Sequence, residues 1–178
     1  GFGRIGRLIL RALLENYKGK IQVVGINDLG SIETNAHLIK YDSTHGILNH
    51  DVKTTGDGFQ IGDQNIKVFA ERDPAKLPWG KVGADVVLEC TGFFLDKASA
   101  GKHIQAGAKK VIISAPAKEV DFTLVQGVNS KELKKDHNII SNGSCTTNCL
   151  APVAMVLEKN FGITYGYMTT IHSYTGDQ

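Results

Sequence analysis

The sequence predicts a doubly wound α/β fold with a mostly parallel sheet. Three observations favour this class: a glycine-rich turn leads directly into an amphipathic helical stripe, short β-branched runs alternate with helical segments, and polar residues follow the ends of those runs. In such folds the crossover connections bring ligand-binding loops to the carboxyl ends of the strands. A chain of 178 residues is long enough to bury the core of one such domain and to begin a second.

The first elements are a helix, a strand and a second helix. From Ile5 the apolar residues recur at i, i+3, i+4, i+7 and i+8, which predicts a helix that leaves the glycine-rich turn. The apolar run 21–26 predicts a strand that ends just before Asp28, and Ser31 is placed to cap the helix that follows. Glycine and aspartate turn signals within the alternating stretch 51–70 predict antiparallel hairpins inserted before the next helical unit.

The second half of the chain continues the alternation. Residues 86–88 and 111–113 are β-branched runs typical of strands buried on both faces, and they flank a helical segment that ends at Gly107. Two further strands are predicted over 122–125 and 139–140.

The last elements predict the start of another kind of domain. An apolar stripe runs along one helical face through residues 150–161, and residues 165–171 are predicted to return as a strand. We expect this helix and strand to be the first elements of an α+β domain.

Composition excludes several classes of protein. The 20 basic and 18 acidic residues leave a net charge of +2 and are spread along the chain, so neither nucleic acid nor an acidic membrane surface is implied as a partner. Without a membrane-length apolar run or an opening signal peptide, a cytoplasmic location is expected. The odd number of cysteines has no framework spacing and indicates reduced thiols: Cys90, Cys145 and Cys149.

The positions of the two termini relative to the predicted elements are informative. Gly1 is already part of a glycine-rich turn that should follow a strand, and the chain stops shortly after the β-like segment. We therefore expect truncation at both ends. Residues 1–144 would form a dinucleotide-binding domain that lacks its first strand, and residues 145–178 would begin a truncated catalytic domain.

The opening segment, Gly1-Phe2-Gly3-Arg4-Ile5-Gly6, fits the pattern G-x-G-x-x-G. Its glycines permit a tight turn and close approach of the backbone, and the amides at the helix start can bind a pyrophosphate. Asp28 follows at the end of the next apolar strand, where a carboxylate can accept hydrogen bonds from both hydroxyls of an adenosine ribose. The same carboxylate repels a 2′-phosphate, so the pattern predicts NAD rather than NADP, unless Asp28 only caps the helix that follows.

A second constellation centres on Cys145, which follows a strand at the start of the last helix. Free amides and the helix dipole at that position favour thiolate over thiol. His172 ends the last predicted strand, where an imidazole could meet the thiol and form a thiolate–imidazolium pair. A small buried cysteine is the alternative for Cys90 and Cys149, and a metal site from Cys145 and Cys149 is disfavoured because zinc sites need four ligands at closer spacing.

Several motifs together resemble the glyceraldehyde-3-phosphate dehydrogenase family, phosphorylating and NAD-dependent, over the whole chain. They are the segments 1–7, 27–28, 40–46, 71–74, 144–149 and 169–178. The resemblance implies a Rossmann-type NAD-binding domain followed by the start of a catalytic domain, and a homotetramer.

The resemblance also implies site residues. Cys145 would be the nucleophile, and His172 would activate it and serve the proton movements at the substrate oxygen. The implied NAD contacts are Gly3, Arg4, Ile5, Asp28, Arg72, Thr91 and Ser114. The residues that would contact the phosphate groups of glyceraldehyde 3-phosphate and of inorganic phosphate are Ser144, Thr146 and Thr175, and no metal is implied.

The activity implied is oxidation of glyceraldehyde 3-phosphate with NAD and inorganic phosphate, through a cysteine thioester, to 1,3-bisphosphoglycerate and NADH. One departure is Gly143, where the family usually has alanine. Two alternatives stay open: an erythrose-4-phosphate dehydrogenase, which Thr175 disfavours, and a dinucleotide-binding fragment without catalysis.

Overall fold

Helix α1 (Arg4–Asn16) begins directly after Gly3, as the apolar periodicity predicts. In the computed structural model, which describes residues 1–173, Leu10 and Leu14 on one face of this helix are buried. They belong to a hydrophobic core that also contains Ile39 and Phe59. Helix α2 (Ile32–Lys40) is capped by Ser31, whose hydroxyl accepts a hydrogen bond from the Thr34 amide, as its sequence position indicates.

The remaining helices are short, except for the last. They are α3 (Trp79–Val82), α4 (Lys97–Ala100), α5 (Lys102–Gln105) and α6 (Cys145–Phe161), with 3₁₀ turns at Pro74–Lys76 and Ser130–Glu132.

Within residues 1–173, the strands fall into two four-stranded sheets and one small hairpin. They are β1 (Gly25–Asn27), β2 (Tyr41–Asp42), β3 (Gly46–Ile47), β4 (Val52–Thr55), β5 (Gly58–Ile61), β6 (Gln64–Phe69), β7 (Val86–Glu89), β8 (Lys110–Ile113), β9 (Phe122–Thr123) and β10 (Ile139–Ser141).

The first sheet has the order β1-β6-β5-β4, and the second has the order β7-β8-β10-β9. Strands β1 and β6 are parallel, whereas β4, β5 and β6 form the antiparallel hairpins that the turn signals predict. Every pair in the second sheet is parallel. The predicted α/β class with a mostly parallel sheet is therefore confirmed, with the sheet divided into two parts.

Two predicted strands are shorter in the structure. The run 21–26 pairs as a strand only from Gly25, because Ile21 and Val23 exchange hydrogen bonds with the side chain of Gln64 instead of with a strand backbone. The run 122–125 is a strand over Phe122–Thr123 only.

The strand predicted over 165–171 is wrong: this segment has no regular secondary structure. Its residues are exposed, and a strand needs a neighbouring backbone for its hydrogen bonds, which residues 1–173 do not provide there.

The glycine-rich turn lies where the two sheets approach each other. The Phe2 amide donates to a carboxylate oxygen of Asp28 at the end of β1, at 2.7 Å. On the other side, Gly1 contacts Thr91, just beyond β7, so closely that a Cβ at Gly1 would lie 2.9 Å from the Thr91 methyl carbon. The turn therefore connects the carboxyl ends of one strand from each sheet.

Candidate active site

The candidate site is built at the carboxyl ends of the parallel strands. Asp28 follows β1, Thr91 follows β7, and Ser114 follows β8, as the strand order predicts. The Ser114 amide donates to the Glu89 carbonyl at 3.0 Å, so the loops after β7 and β8 lie side by side. Cys145 begins the helix that follows β10, which pairs directly with β8.

The glycine-rich turn forms an open cradle at the start of α1. A Cβ at Gly6 would lie 2.3 Å from the Gly1 carbonyl oxygen, so the turn can close only with glycine there. A Cβ at Gly3, in contrast, would meet nothing within 4 Å, and no side chain caps the helix. The amides of the first helical turn therefore face an open space that suits a pyrophosphate.

Asp28 is an acidic residue beside this cradle, and backbone amides hold its carboxylate in place. Besides the Phe2 amide, its carboxylate accepts the Gly30 amide at 2.9 Å. Burial raises the pKa of Asp28, but the hydrogen bonds from Gly30 and Phe2 outweigh burial and leave the pKa below its ordinary value. Asp28 is therefore an anion that fastens the turn to β1 while keeping lone pairs for further donors.

The two arginines that the resemblance implies lie on the surface. Arg4 forms an ion pair with Asp42, the last residue of β2. Arg72 is exposed in the segment after β6, and Asn27 holds that segment through two hydrogen bonds with the backbone of Glu71. Both guanidinium groups are therefore accessible, whereas the exposed side chain of Ile5 offers an apolar surface at the first turn of α1.

Cys145 occupies the first position of α6 and is exposed. Ser144 caps the helix, with its hydroxyl oxygen accepting the Thr147 amide at 2.9 Å. Gly143, in the preceding position, has a φ of +67°, in the left-handed region that favours glycine. The glycine therefore suits the backbone conformation that presents the thiol.

His172 faces this thiol. Its Nε2 lies 3.0 Å from the Cys145 Sγ, and its Nδ1 lies 2.7 Å from the Ser173 carbonyl oxygen. Since a carbonyl can only accept, Nδ1 carries a proton and Nε2 is the atom that exchanges a proton with sulfur. The structure thus brings together two residues that are 27 positions apart in the chain.

The electrostatics of the two groups are complementary. The hydrogen bond to His172 is the main cause that lowers the pKa of Cys145, and the hydroxyl and amide of Thr146 lower it further. In return, the hydrogen bond to Cys145 raises the pKa of His172, with help from the Ser173 carbonyl. Opposite shifts of this kind favour a thiolate–imidazolium pair.

The residues implied for phosphate contacts have different surroundings. Thr146 contacts the sulfur of Cys145. The Ser144 hydroxyl also lies 2.8 Å from the Thr147 hydroxyl, so most of its hydrogen-bonding positions are used within the helix cap. Thr175 lies outside the residues that the structure describes.

Two residues that support the thiol were not singled out from the sequence. Ser141 is fully buried, donates to the Ala115 carbonyl and accepts the Gly143 amide, and thereby holds the loop before α6. Asn148 donates from its side-chain nitrogen to the Asn142 and Ser144 carbonyls, at 2.7 and 2.9 Å. The available signal for Asn148 was its position one turn after the cap, where an amide side chain can reach back to the loop.

The other two cysteines differ from Cys145. Cys90 is half-buried, and burial raises the pKa of its thiol, as expected for a structural cysteine. Cys149 is exposed, so the alternative of a small buried cysteine does not describe it.

Within residues 1–173, no group of three or more histidine, cysteine or acidic residues is arranged to hold a metal ion. Over the same residues, no helix has both the length and the apolar character needed to cross a membrane.

Comparison with known proteins gives a consistent set of similarities. Residues 1–97 match the family model for glyceraldehyde 3-phosphate dehydrogenase, NAD binding domain, and residues 144–178 match the model for its C-terminal domain. The whole chain is 55% identical to glyceraldehyde-3-phosphate dehydrogenase of Xanthobacter flavus and covers 53% of that protein. It is 54% identical to the protein of that name from Pseudomonas aeruginosa, covering 54% of it, and 55% identical to glyceraldehyde-3-phosphate dehydrogenase 1 of Bacillus subtilis, covering 53%. The chain thus spans about half the length of the curated relatives it matches.

Proposed function

The chain belongs to the glyceraldehyde 3-phosphate dehydrogenase family, and on that premise we propose that the protein containing it oxidises glyceraldehyde 3-phosphate with NAD and inorganic phosphate. The product would be 1,3-bisphosphoglycerate. The observation that carries this proposal is the 3.0 Å contact between the Cys145 Sγ and the His172 Nε2 at the start of α6.

Cys145 acts as the nucleophile of the proposed reaction. Its thiolate adds to the aldehyde carbon of the substrate, and His172 donates a proton from Nε2 to the developing oxyanion. The product of this step is a hemithioacetal on Cys145. A thiolate is suited to this step because it is stable near neutral pH when a cationic imidazole and free helix amides surround it.

Oxidation then converts the hemithioacetal to a thioester. NAD, when bound, supplies the acceptor for the hydride that leaves the former aldehyde carbon. His172 takes back the hydroxyl proton through Nε2 as the carbonyl forms. Inorganic phosphate then attacks the thioester carbon, which releases the acyl phosphate and restores the thiolate of Cys145.

The residues around the glycine-rich turn fit NAD. The open space at Gly3 and the uncapped start of α1 suit the pyrophosphate, with Arg4 and Ile5 beside it. Asp28, as an anion, suits the two hydroxyls of the adenosine ribose. In this proposal Arg72, Thr91 and Ser114 contact other parts of NAD, and Ser144, Thr146 and Thr175 contact phosphate groups of the substrates.

The domain boundary, assembly and location are part of the same proposal. Residues 1–144 would belong to the NAD-binding domain and residues 145–178 to the catalytic domain, with Cys145 at the junction. The two family models, which match residues 1–97 and 144–178, support a division close to this position. We expect a cytoplasmic homotetramer, as the family resemblance implies.

The test uses the complete protein that carries this chain. It should produce NADH from glyceraldehyde 3-phosphate only when inorganic phosphate is present, and Cys145→Ser should lower kcat by about three orders of magnitude or more. The matched control is Cys149→Ser, an exposed thiol one turn along the same helix, which should keep its activity. Activity that survives Cys145→Ser would refute the proposed mechanism, and a higher kcat/KM for erythrose 4-phosphate would change the proposed substrate.

A further inference from the structure

A buried chain of polar side chains leads from the core to the loop after β7. The indole nitrogen of Trp79 donates to the Nδ1 of His103 at 3.0 Å, and the Nε2 of His103 lies 2.9 Å from a carboxylate oxygen of Glu89. All three side chains are at least nine-tenths buried: Trp79 is 5% exposed, His103 4% and Glu89 3%. The mechanism proposed above gives them no role.

The chemistry of the end groups fixes the direction of these hydrogen bonds. An indole can only donate and a carboxylate can only accept, so the ring of His103 accepts at Nδ1 and donates from Nε2. Burial raises the pKa of Glu89, but the hydrogen bonds from His103 and Thr91 outweigh burial and leave this pKa below its ordinary value. Glu89 is therefore an ionised acceptor at the end of this series of hydrogen bonds from Trp79 through His103.

The second oxygen of Glu89 holds Thr91. It accepts the Thr91 amide at 2.7 Å and also the Thr91 hydroxyl proton. The Thr91 hydroxyl oxygen in turn accepts the Phe93 amide at 3.1 Å. The proton of this hydroxyl is thus directed at Glu89. The Thr91 hydroxyl can therefore take part in a further hydrogen bond only as an acceptor.

Thr91 lies against the glycine-rich turn, since the Thr91 methyl carbon would be 2.9 Å from a Cβ at Gly1. A second contact supports the same loop, because the Phe94 ring packs edge-on against His103, with centroids 6.4 Å apart. The loop 91–94 is therefore connected to His103 both through Glu89 and through Phe94.

We propose that Glu89, held by His103 and Trp79, is a positioning residue for the cofactor: it orients Thr91 beside the glycine-rich turn so that the Thr91 hydroxyl accepts a hydrogen bond from NAD. This inference rests on the proposed function, because it takes NAD as the ligand of the turn. Glu89 acts on NAD only through Thr91 and does not touch the reacting atoms.

Glutamine at position 89 would disturb this arrangement without changing its size. If its oxygen still faces Thr91, its NH₂ group faces the Nε2–H of His103. A shift of the histidine proton to Nδ1 would then oppose the indole N–H of Trp79. A reversed amide would satisfy His103 but turn its NH₂ group toward the Thr91 amide N–H. Each of these arrangements leaves two donors facing each other, so the orientation of residue 89 and of Thr91 is no longer fixed.

The experiment measures NAD affinity by calorimetry, together with KM for NAD and kcat, in the complete protein. Glu89→Gln and Thr91→Val should each weaken NAD binding on the order of tenfold, equivalent to ~1.4 kcal/mol, and raise KM for NAD with little change in kcat. The double variant should bind NAD about as weakly as the weaker single variant, because both substitutions remove the same contact. Thr91→Ser, which keeps the hydroxyl, should retain the affinity.

Val111→Ala is the matched control, since Val111 is a buried residue of the neighbouring strand β8 that packs with Ala100, Ile113 and Ile139 and not in the core cluster of Trp79. If Val111→Ala weakens NAD binding as much as Glu89→Gln at a similar loss of Tm, or if the effects of Glu89→Gln and Thr91→Val add, the inference is wrong. Should Glu89→Gln fail to fold, unchanged NAD affinity in Thr91→Val would overturn it. A wild-type protein that binds no NAD would instead refute the proposed function.

Discussion

At the scale of single residues, the state of Cys145 depends mainly on one neighbour. Exposure to solvent leaves the sulfur accessible to a substrate, and the imidazole of His172 supplies the positive charge that favours the thiolate. The amide of Thr146 adds a weaker contribution of the same sign. This dependence makes the pH profile of the thiol the most direct readout of the pair.

His172→Gln should move the alkylation profile of Cys145 to higher pH. In the wild-type protein the lowered pKa of Cys145 means that the thiolate persists below the pH at which a free thiol is protonated. Without the imidazole the pKa of Cys145 rises, so the rate of reaction with iodoacetamide should fall at neutral pH and recover as the pH increases. The measurement is the rate constant for Cys145 between pH 5 and pH 10, with Cys149→Ser as the background.

The control for this prediction is His45→Gln, which replaces an exposed imidazole in the turn between β2 and β3. Its profile should match that of the wild-type protein. If His172→Gln and His45→Gln had the same profile, the contact between the imidazole and the sulfur would have no influence on the thiol.

At the scale of elements, the end of β1 and the start of α1 are joined by a single carboxylate. Asp28 accepts the Phe2 amide of the glycine-rich turn and the Gly30 amide of its own loop. The same oxygens face the region where an adenosine ribose would lie in the proposed complex. Loss of this side chain therefore affects both the shape of the turn and the recognition of the cofactor.

Asp28→Ala should weaken NAD binding by about 1–3 kcal/mol, the value of hydrogen bonds to a charged group. Rejection of NADP should relax as well, because the negative charge that repels a 2′-phosphate is removed. Calorimetric titration with both cofactors measures the two effects. The control is Asp63→Ala, which removes an exposed carboxylate in the turn between β5 and β6. If the two variants had equal cofactor affinities, Asp28 would have only a structural role.

At the scale of the whole molecule, α6 stands out because none of its residues is buried. Its apolar stripe includes Val153 and Phe161, which are 56% and 83% exposed. The side chains of the segment after it, through Ser173, are also exposed. A contiguous apolar surface of this kind favours association when the 178-residue chain is isolated.

The double substitution Val153→Gln and Phe161→Gln should therefore reduce self-association of the isolated chain. It should also lower the binding of a hydrophobic dye, because each buried apolar side chain of this size contributes about 1.5–3 kcal/mol to an apolar contact. Analytical ultracentrifugation and dye fluorescence provide the measurements. Lys159→Gln, on the same helix, should change neither self-association nor dye binding. If the double variant associates as strongly as the wild-type chain, the surface responsible for association lies outside this apolar stripe.

Most of the fold could be predicted from local patterns. The helices at 4–16 and 145–161 follow apolar periodicity, and the hairpins of β4, β5 and β6 follow their turn residues. The strand expected over 165–171 failed because alternation states only that a segment can form a strand. Whether it does depends on a partner backbone, which periodicity does not contain.

The sequence by itself determined the family, the glycine-rich turn, and the residue types at the ends of the strands, because these are properties of neighbouring positions along the chain. Only the tertiary structure decided that the His172 Nε2 meets the Cys145 sulfur and that Glu89 holds Thr91 from a buried chain that begins at Trp79. The reason is physical: hydrogen bonds act over about 3 Å, and the separation of two residues along a chain says nothing about that distance until the elements between them have packed.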